Sequence, residues 1–252
     1  MSAAQPHPDW IVPDWPAAPH VKALITTRAG GVSEGPHESL NVGFSTADTS
    51  AAVEANRARL RRLLPQDPRW LKQVHGARVV EADTVLDRPE ADASIARNPG
   101  TVSAIQVADC LPILFTNRAG SVVAAAHAGW RGLAAGVIDS TVAAMGGDPR
   151  EMLAYVGPGI GPLYFEVGDE VREAYVSRDA GAAPAFTRKE PAKWLADLPA
   201  LARRALRRCG ITDIYGCDLC TYSNPARFYS YRRDGETGRM AALIWREGPA
   251  AL

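Results

Sequence analysis

The sequence predicts a single domain in which β-strands and α-helices are mixed. At 252 residues the chain is long enough to bury a sizeable core, and domains of this length are routinely undivided. Strand-like runs and helix-like runs alternate along it, and no internal repeat or interdomain linker interrupts them. The expected organisation is an extended N-terminal arm over residues 1–20, rich in Pro, Ala and Trp, followed by one domain over residues 21–252.

Val21 to Thr27 reads as the first strand. Arg28-Ala-Gly-Gly-Val-Ser-Glu-Gly-Pro36 is dense in glycine and by composition reads as a turn, although glycine also lets backbone approach a ligand closely. Ser50 can cap a helix from about Ala51 to Leu64, where Val53, Leu60 and Leu64 recur at helical spacing. Strands are expected at Val102 to Asp109, Ile113 to Thr116 and Val122 to Ala126, the last two joined by a hairpin over Asn117-Arg-Ala-Gly-Ser121. A helix should run from Gly132 to Met145 and stop at Gly146-Gly147. Leu153 to Val156 is another strand, leading into Gly157-Pro-Gly-Ile-Gly-Pro162, and Asp179 to Pro191 reads as a surface loop. Asp197 caps a helix with Pro199 in its first turn and Cys209-Gly210 at its end. Strands at Ile214 to Tyr222 and Met240 to Trp245 close the domain.

Lys plus Arg and Asp plus Glu each number 28, so no global field draws the chain onto nucleic acid or an anionic membrane, and an anionic ligand must be met by local arginines. No apolar stretch approaches the length of a membrane span, and the start lacks the pattern of a secretory signal, so the cytoplasm is the expected compartment. Four cysteines are too sparse for a disulfide scaffold and leave thiols for metal binding or catalysis.

Three segments place a good transition-metal ligand beside small residues: Lys72-Gln-Val-His75-Gly76, Val107-Ala-Asp-Cys110-Leu-Pro112 and Ala125-Ala-His127-Ala-Gly-Trp-Arg-Gly132. Each ligand is expected at a strand end. One thiolate and two imidazoles leave zinc a fourth position, as catalytic sites do. The separations, 35 residues (110 − 75) and 17 residues (127 − 110), form no local chelating signature. Taken singly, His75 reads as a hydrogen-bonded loop histidine and Cys110 as a small buried hydrophobe.

A wider pattern joins them. Thr27-Arg-Ala-Gly-Gly-Val-Ser33, Ser39-Leu-Asn-Val-Gly43, Gln73-Val-His-Gly76, Ala108-Asp-Cys-Leu-Pro112, Ala126-His-Ala-Gly-Trp-Arg-Gly132, Gly157-Pro-Gly-Ile-Gly161 and Phe228-Tyr-Ser-Tyr-Arg-Arg-Asp-Gly235 closely resemble, in order, the motifs of the YfiH-type family. That family is also described as laccase-domain or polyphenol oxidase-like, and its members are purine nucleoside phosphorylases. The resemblance spans about Val21 to Trp245. It implies a compact α/β (α+β) domain with mixed sheets flanked by helices, similar to the catalytic domain of cytotoxic necrotizing factor toxins. It places His75, Cys110 and His127 on the family's zinc ligands. It also implies phosphorolysis of adenosine, inosine, guanosine and methylthioadenosine, together with adenosine deamination.

Phosphorolysis needs a cationic cradle for phosphate. Arg28, Arg131, Arg232 and Arg233 are the candidates, with Asn41 as a further substrate-binding residue inside its motif. Asp109, beside the cysteine, is expected to orient a histidine or to act with Cys110 and Arg28 in catalysis, and Asp92 and Glu166 are weaker candidates for the same tasks. The expected partners are purine nucleosides and phosphate, without nucleic acid or membrane; the oligomeric state is left open, with a monomer favoured.

Two other chemistries use the same residues. Copper could occupy the site, but a multicopper laccase needs a cluster bound by many histidines, and the chain has five: His7, His20, His37, His75 and His127. A cysteine hydrolase would use Cys110 as nucleophile and His75 or His127 as base. A noncatalytic binding protein would leave the open metal position without a purpose. Cys217 and Cys220 read as structural thiols.

Overall fold

The computed structural model describes residues 5–216 and 219–248. Three sheets organise the chain. The strands and helices are β1 (Val21–Ile25), α1 (Ser50–Arg61), β2 (Val79–Glu81), β3 (Ala93–Ala96), β4 (Ser103–Val107), β5 (Leu111–Asn117), β6 (Val123–Ala128), α2 (Trp130–Ala135), α3 (Val137–Met145), β7 (Met152–Val156), β8 (Glu166–Gly168), α4 (Asp169–Val176), β9 (Phe186–Glu190), β10 (Lys193–Ala196), α5 (Leu198–Arg208), β11 (Asp213–Gly216), α6 (Tyr231–Asp234) and β12 (Met240–Arg246). The main sheet has the order β11-β7-β5-β6-β3-β2, parallel at its two outer pairs and antiparallel between. A second sheet, β1-β12-β4, is antiparallel, and β8-β10-β9 forms a third.

Alternation along β5 decides the layering. Ile113 and Phe115 face a core shared with Ile138 of α3 and Leu201 and Leu206 of α5, whereas Leu114 faces one shared with Ile105 of β4 and Ile244 of β12. On the far side of β1-β12-β4, Leu24, Ala104 and Leu243 pack under Leu60, Leu64 and Trp10. The order of layers is therefore helices, main sheet, second sheet and α1. Both faces of β5 and β6 are covered, which explains their nearly continuous apolar composition. The chain is the α+β arrangement of mixed sheets flanked by helices that the motifs imply. No helix is long and apolar enough to cross a membrane among the described residues.

Several boundaries depart from expectation. Thr49, not Ser50, caps α1, its side chain accepting from the N–H of Ala52. The helix expected from Gly132 to Met145 is two, because Gly136 takes φ 92° and ψ 33° and ends α2 before α3 begins. The segment read as a loop over Asp179 to Pro191 holds a 3-10 turn over Ala180–Ala185 and all of β9. Its charged, outward-facing residues conceal a strand whose pairing to β10 supplies the order. The strand expected through Tyr222 stops at Gly216 in the described residues, and Cys217 lies outside them. Asp197 caps α5 as expected.

A Cβ on Gly136 would approach no atom closer than 3.6 Å, so an alanine there meets backbone strain alone. Gly136→Ala should lower unfolding free energy by roughly 1–2 kcal/mol, the cost of holding an L-residue left-handed, read from the urea midpoint. An unchanged midpoint would contradict the break between α2 and α3.

Candidate metal centre

The site begins with Asp92. This side chain is fully buried immediately before β3, where a lone carboxylate would be costly unless hydrogen-bonded. It is bonded four times. Its Oδ2 accepts from the backbone N–H of Val74 (3.1 Å) and Gly76 (2.7 Å), and its Oδ1 from the N–H of His75 (2.9 Å) and from His127 Nδ1 (2.8 Å). The His127 N–H also donates to the Asp92 carbonyl at 2.7 Å. Burial opposes the charge, yet the bonds from His127 and the loop amides hold this carboxyl below its usual range.

One carboxylate thus shapes the His75 loop and aims the His127 ring. His75 has φ 60°, a conformation that a histidine holds only where its surroundings enforce it. It lies in this loop and not at the strand end expected. Because Nδ1 of His127 is committed to Asp92, its Nε2 is the nitrogen free to bind. Cys110 stands immediately before β5, paired with the β6 strand that carries His127. Its Sγ is 3.7 Å from His75 Nε2, and the ligand atoms of His75, Cys110 and His127 all lie within 4.8 Å of one another. The sequence-predicted trio converges, and it can hold a metal ion.

The glycines of the motifs make this approach possible. A Cβ on Gly129 would lie 2.7 Å from Cys110 Sγ and 2.8 Å from His75 Cδ2, and one on Gly132 would lie 2.8 Å from the Gly76 carbonyl. Gly159 closes the site from behind: a Cβ there would fall 2.4 Å from Leu111 Cδ2 and 3.0 Å from the Asp109 carbonyl. The Gly157–Gly161 segment is therefore a packing element that fixes the turn at Cys110.

The thiol and imidazole are electrostatically coupled. Burial disfavours the Cys110 thiolate, but the His127 charge and hydrogen bonds from both histidines outweigh it and bring the thiol down to about 6. Burial likewise disfavours the His127 cation, but the Cys110 thiolate and Asp92 raise it to about 9.

Other predicted residues are placed differently. Asp109 orients no histidine: its Oδ1 accepts from Thr221 Oγ1 and its Oδ2 from the Arg232 N–H, both at 2.6 Å, and that task falls to Asp92. Asn41 is fully buried, with both amide hydrogens bonded to Thr46 and Asp48 and its oxygen accepting from Gly43 and Arg239. With every hydrogen-bonding position filled by protein, Asn41 holds its loop and offers nothing to a ligand. Arg233 donates to the carbonyls of Thr221, Tyr222 and Phe228 and pairs with Asp234, which makes it a clamp within its own turn. Arg131 is exposed and stacks on Trp130. Glu166 is held by Lys189 and Lys193, away from any histidine contact.

Arg28 donates to the carbonyls of Glu38 and Pro225, and Arg232 to that of Glu166, its guanidinium exposed. Sequence reasoning missed Arg239. It immediately precedes β12, partly buried, and Cys110, Tyr231 and Asp109 all act electrostatically on it. Past the strand ends the two arginines take different backbone partners: Arg28 bonds to Arg227, Ser39 and Leu40, and Arg239 to Val42, so it is Arg239 whose charge acts on Cys110. Only its position outside the quoted motifs hid it. Elsewhere His20 faces the Gly120 carbonyl and His37 faces Glu236, so among the described residues the trio is the one group of its kind.

Asp92→Asn should lower affinity for divalent transition metals by roughly 10–100-fold, the usual loss when such a hydrogen-bonded partner is altered, measured by competition with a chelating dye. Metal-free protein should show thiolate absorbance, absent in Cys110→Ala, rising as pH increases through about 6. A midpoint near the ordinary thiol value of 9.0 would contradict the coupling to His127.

Comparison with known proteins identifies the family. Residues 22–247 match the family described as multi-copper polyphenol oxidoreductase laccase. A purine nucleoside phosphorylase of Pseudomonas aeruginosa is 52% identical over 239 residues, covering 94% of this chain and 98% of its own. The purine nucleoside phosphorylase YfiH of Escherichia coli is 51% identical over 238 residues, covering 93% and 98%. A crystal structure from Neisseria meningitidis superimposes with a TM-score of 0.92 at 48% identity, covering 95% of this chain and 100% of that one. The chain belongs to this laccase-domain, YfiH-type family.

Proposed function

We propose that this chain is a zinc-dependent purine nucleoside phosphorylase, cleaving adenosine, inosine, guanosine and methylthioadenosine to free base and ribose 1-phosphate, and that it also deaminates adenosine. The observation that carries the reading is the His75-Cys110-His127 trio with Asp92 behind His127, in a chain half identical to proteins named purine nucleoside phosphorylase. The donor set suits zinc. A tetrahedral zinc with ordinary bond lengths requires ligand separations of about 3.5 Å. The 3.7 Å between Cys110 Sγ and His75 Nε2 is close to that span, and a small inward movement brings the trio, within 4.8 Å throughout, to it.

When bound, zinc supplies Lewis-acid polarisation and makes water ionisable near neutral pH. The protein's own residues do the remainder. Asp92 keeps Nδ1 of His127 protonated and its Nε2 available, and holds the His75 loop against the cysteine. Gly129 permits the ligands to approach. Arg28, Arg232 and Arg239 are the cations assigned to phosphate, their guanidinium groups matching its oxygens in shape and charge. Asp109 anchors α6 through the Arg232 N–H and so sets where that arginine stands. Asp109 and Cys110 remain the candidates for proton handling beside the reacting sugar, and a neutral net charge, which draws the chain to neither nucleic acid nor an anionic membrane, suits a small-molecule substrate.

The lowered Cys110 thiol favours one other reading, a metal-free cysteine nucleophile with His127 as its base. Copper in place of zinc at the same mononuclear site would also use the trio.

Purified protein given inosine or adenosine, with and without phosphate, should release hypoxanthine or adenine with ribose 1-phosphate only when phosphate is present. Cys110→Ala and His127→Ala should abolish that release by chromatographic assay. Chelation should remove activity and zinc restore it; activity unaffected by full metal removal would establish the cysteine reading instead.

A further inference from the structure

A cavity of about 960 Å³ opens on the helical side of the main sheet, between α2, α4 and α5 and the start of α3. None of His75, Cys110 or His127 lines it. Its volume falls within the range of small-molecule sites. Four arginines and two aspartates line it, and the aspartates do not balance the arginines. Asp179 holds Arg204 through two bonds of 2.5 Å and stands 3.8 Å from Arg208, while Asp139 takes Arg208 at 3.2 Å.

Arg178 and Arg207 are left over. Arg178 donates to the Ala134 carbonyl, and Arg207, exposed in the last turn of α5, has no carboxylate partner among the described residues. Two guanidinium groups without counter-charge, in a concave site, are suited to the oxygens of a phosphorylated ligand. Tyr175 also lines the cavity, and its ring offers a flat contact to the ring system of a ligand.

We propose that this cavity is a second ligand site, separate from the metal centre, that binds a nucleoside polyphosphate with its phosphates on Arg178 and Arg207. The site is not remote from the metal centre in connection. The Tyr175 hydroxyl donates to the Trp130 carbonyl at 2.7 Å, and Trp130 follows the glycine that lies against Cys110. A ligand resting on Tyr175 is thereby one hydrogen bond from the loop on which the trio closes.

The test is calorimetric titration of the full chain with ATP, tripolyphosphate and adenosine, using wild type, Cys110→Ala, Arg207→Glu and Arg178→Ala, each checked for an unchanged melting curve. ATP should bind wild type and Cys110→Ala alike, and about tenfold or more weakly to Arg207→Glu. Arg178→Ala, which also loses its bond to Ala134, gives a second measure of the same loss. Tripolyphosphate binding with the same dependence on Arg207 assigns the site to phosphate chemistry; tighter ATP binding adds the contact with the Tyr175 ring. No binding of ATP or tripolyphosphate, or binding unaffected by both arginine substitutions, overturns the proposal. Because binding and not turnover is read, failure here leaves the phosphorylase reading to its own assay.

Discussion

The buried carboxylate of Asp92 is the constraint on which the site depends. It is excluded from solvent, and it retains its charge only because three successive loop amides and the His127 ring donate to it. The same bonds impose the positive φ of His75 and select the His127 tautomer. Removing this one group would leave both histidines without a reason to face Cys110. The cost of burying it is therefore also the means by which ligands from three distant segments reach a common point.

The fold serves that constraint. His127 lies on β6 and Cys110 immediately before the neighbouring antiparallel strand β5, at the centre of the main sheet, where both faces are packed. The His75 loop, by contrast, has no strand of its own at that position, and hydrogen bonds to Asp92 substitute for a ladder. Glycines at 129, 132 and 159 sit where side chains would push these segments apart, so the motifs record steric requirements as much as chemistry.

Much of this was legible in sequence because it is local. The apolar runs of β5 and β6, the hairpin between them and the Asp197 cap of α5 announce themselves through alternation and turn chemistry. What stayed hidden depends on tertiary partners. The small residues of Ala93–Ala96 carry no strand signal until β6 pairs with them, and the charged face of β9 resembles a loop. Asp109 adjoins the cysteine in sequence and so draws attention away from Asp92, whereas the hydrogen bond that matters, from His127 to Asp92, spans 35 residues. Arg233 and Asn41 look like ligand groups by type, and only their filled hydrogen-bonding capacity assigns them to the scaffold.

The central claim is that the trio is a zinc site. X-ray absorption at the zinc edge, on protein purified without added metal, tests it most directly. The account predicts stoichiometric zinc with one sulfur at about 2.3 Å and two imidazole nitrogens at about 2.0–2.1 Å, completed by a light atom. Protein that purifies without zinc, or zinc whose shell lacks sulfur, would contradict it.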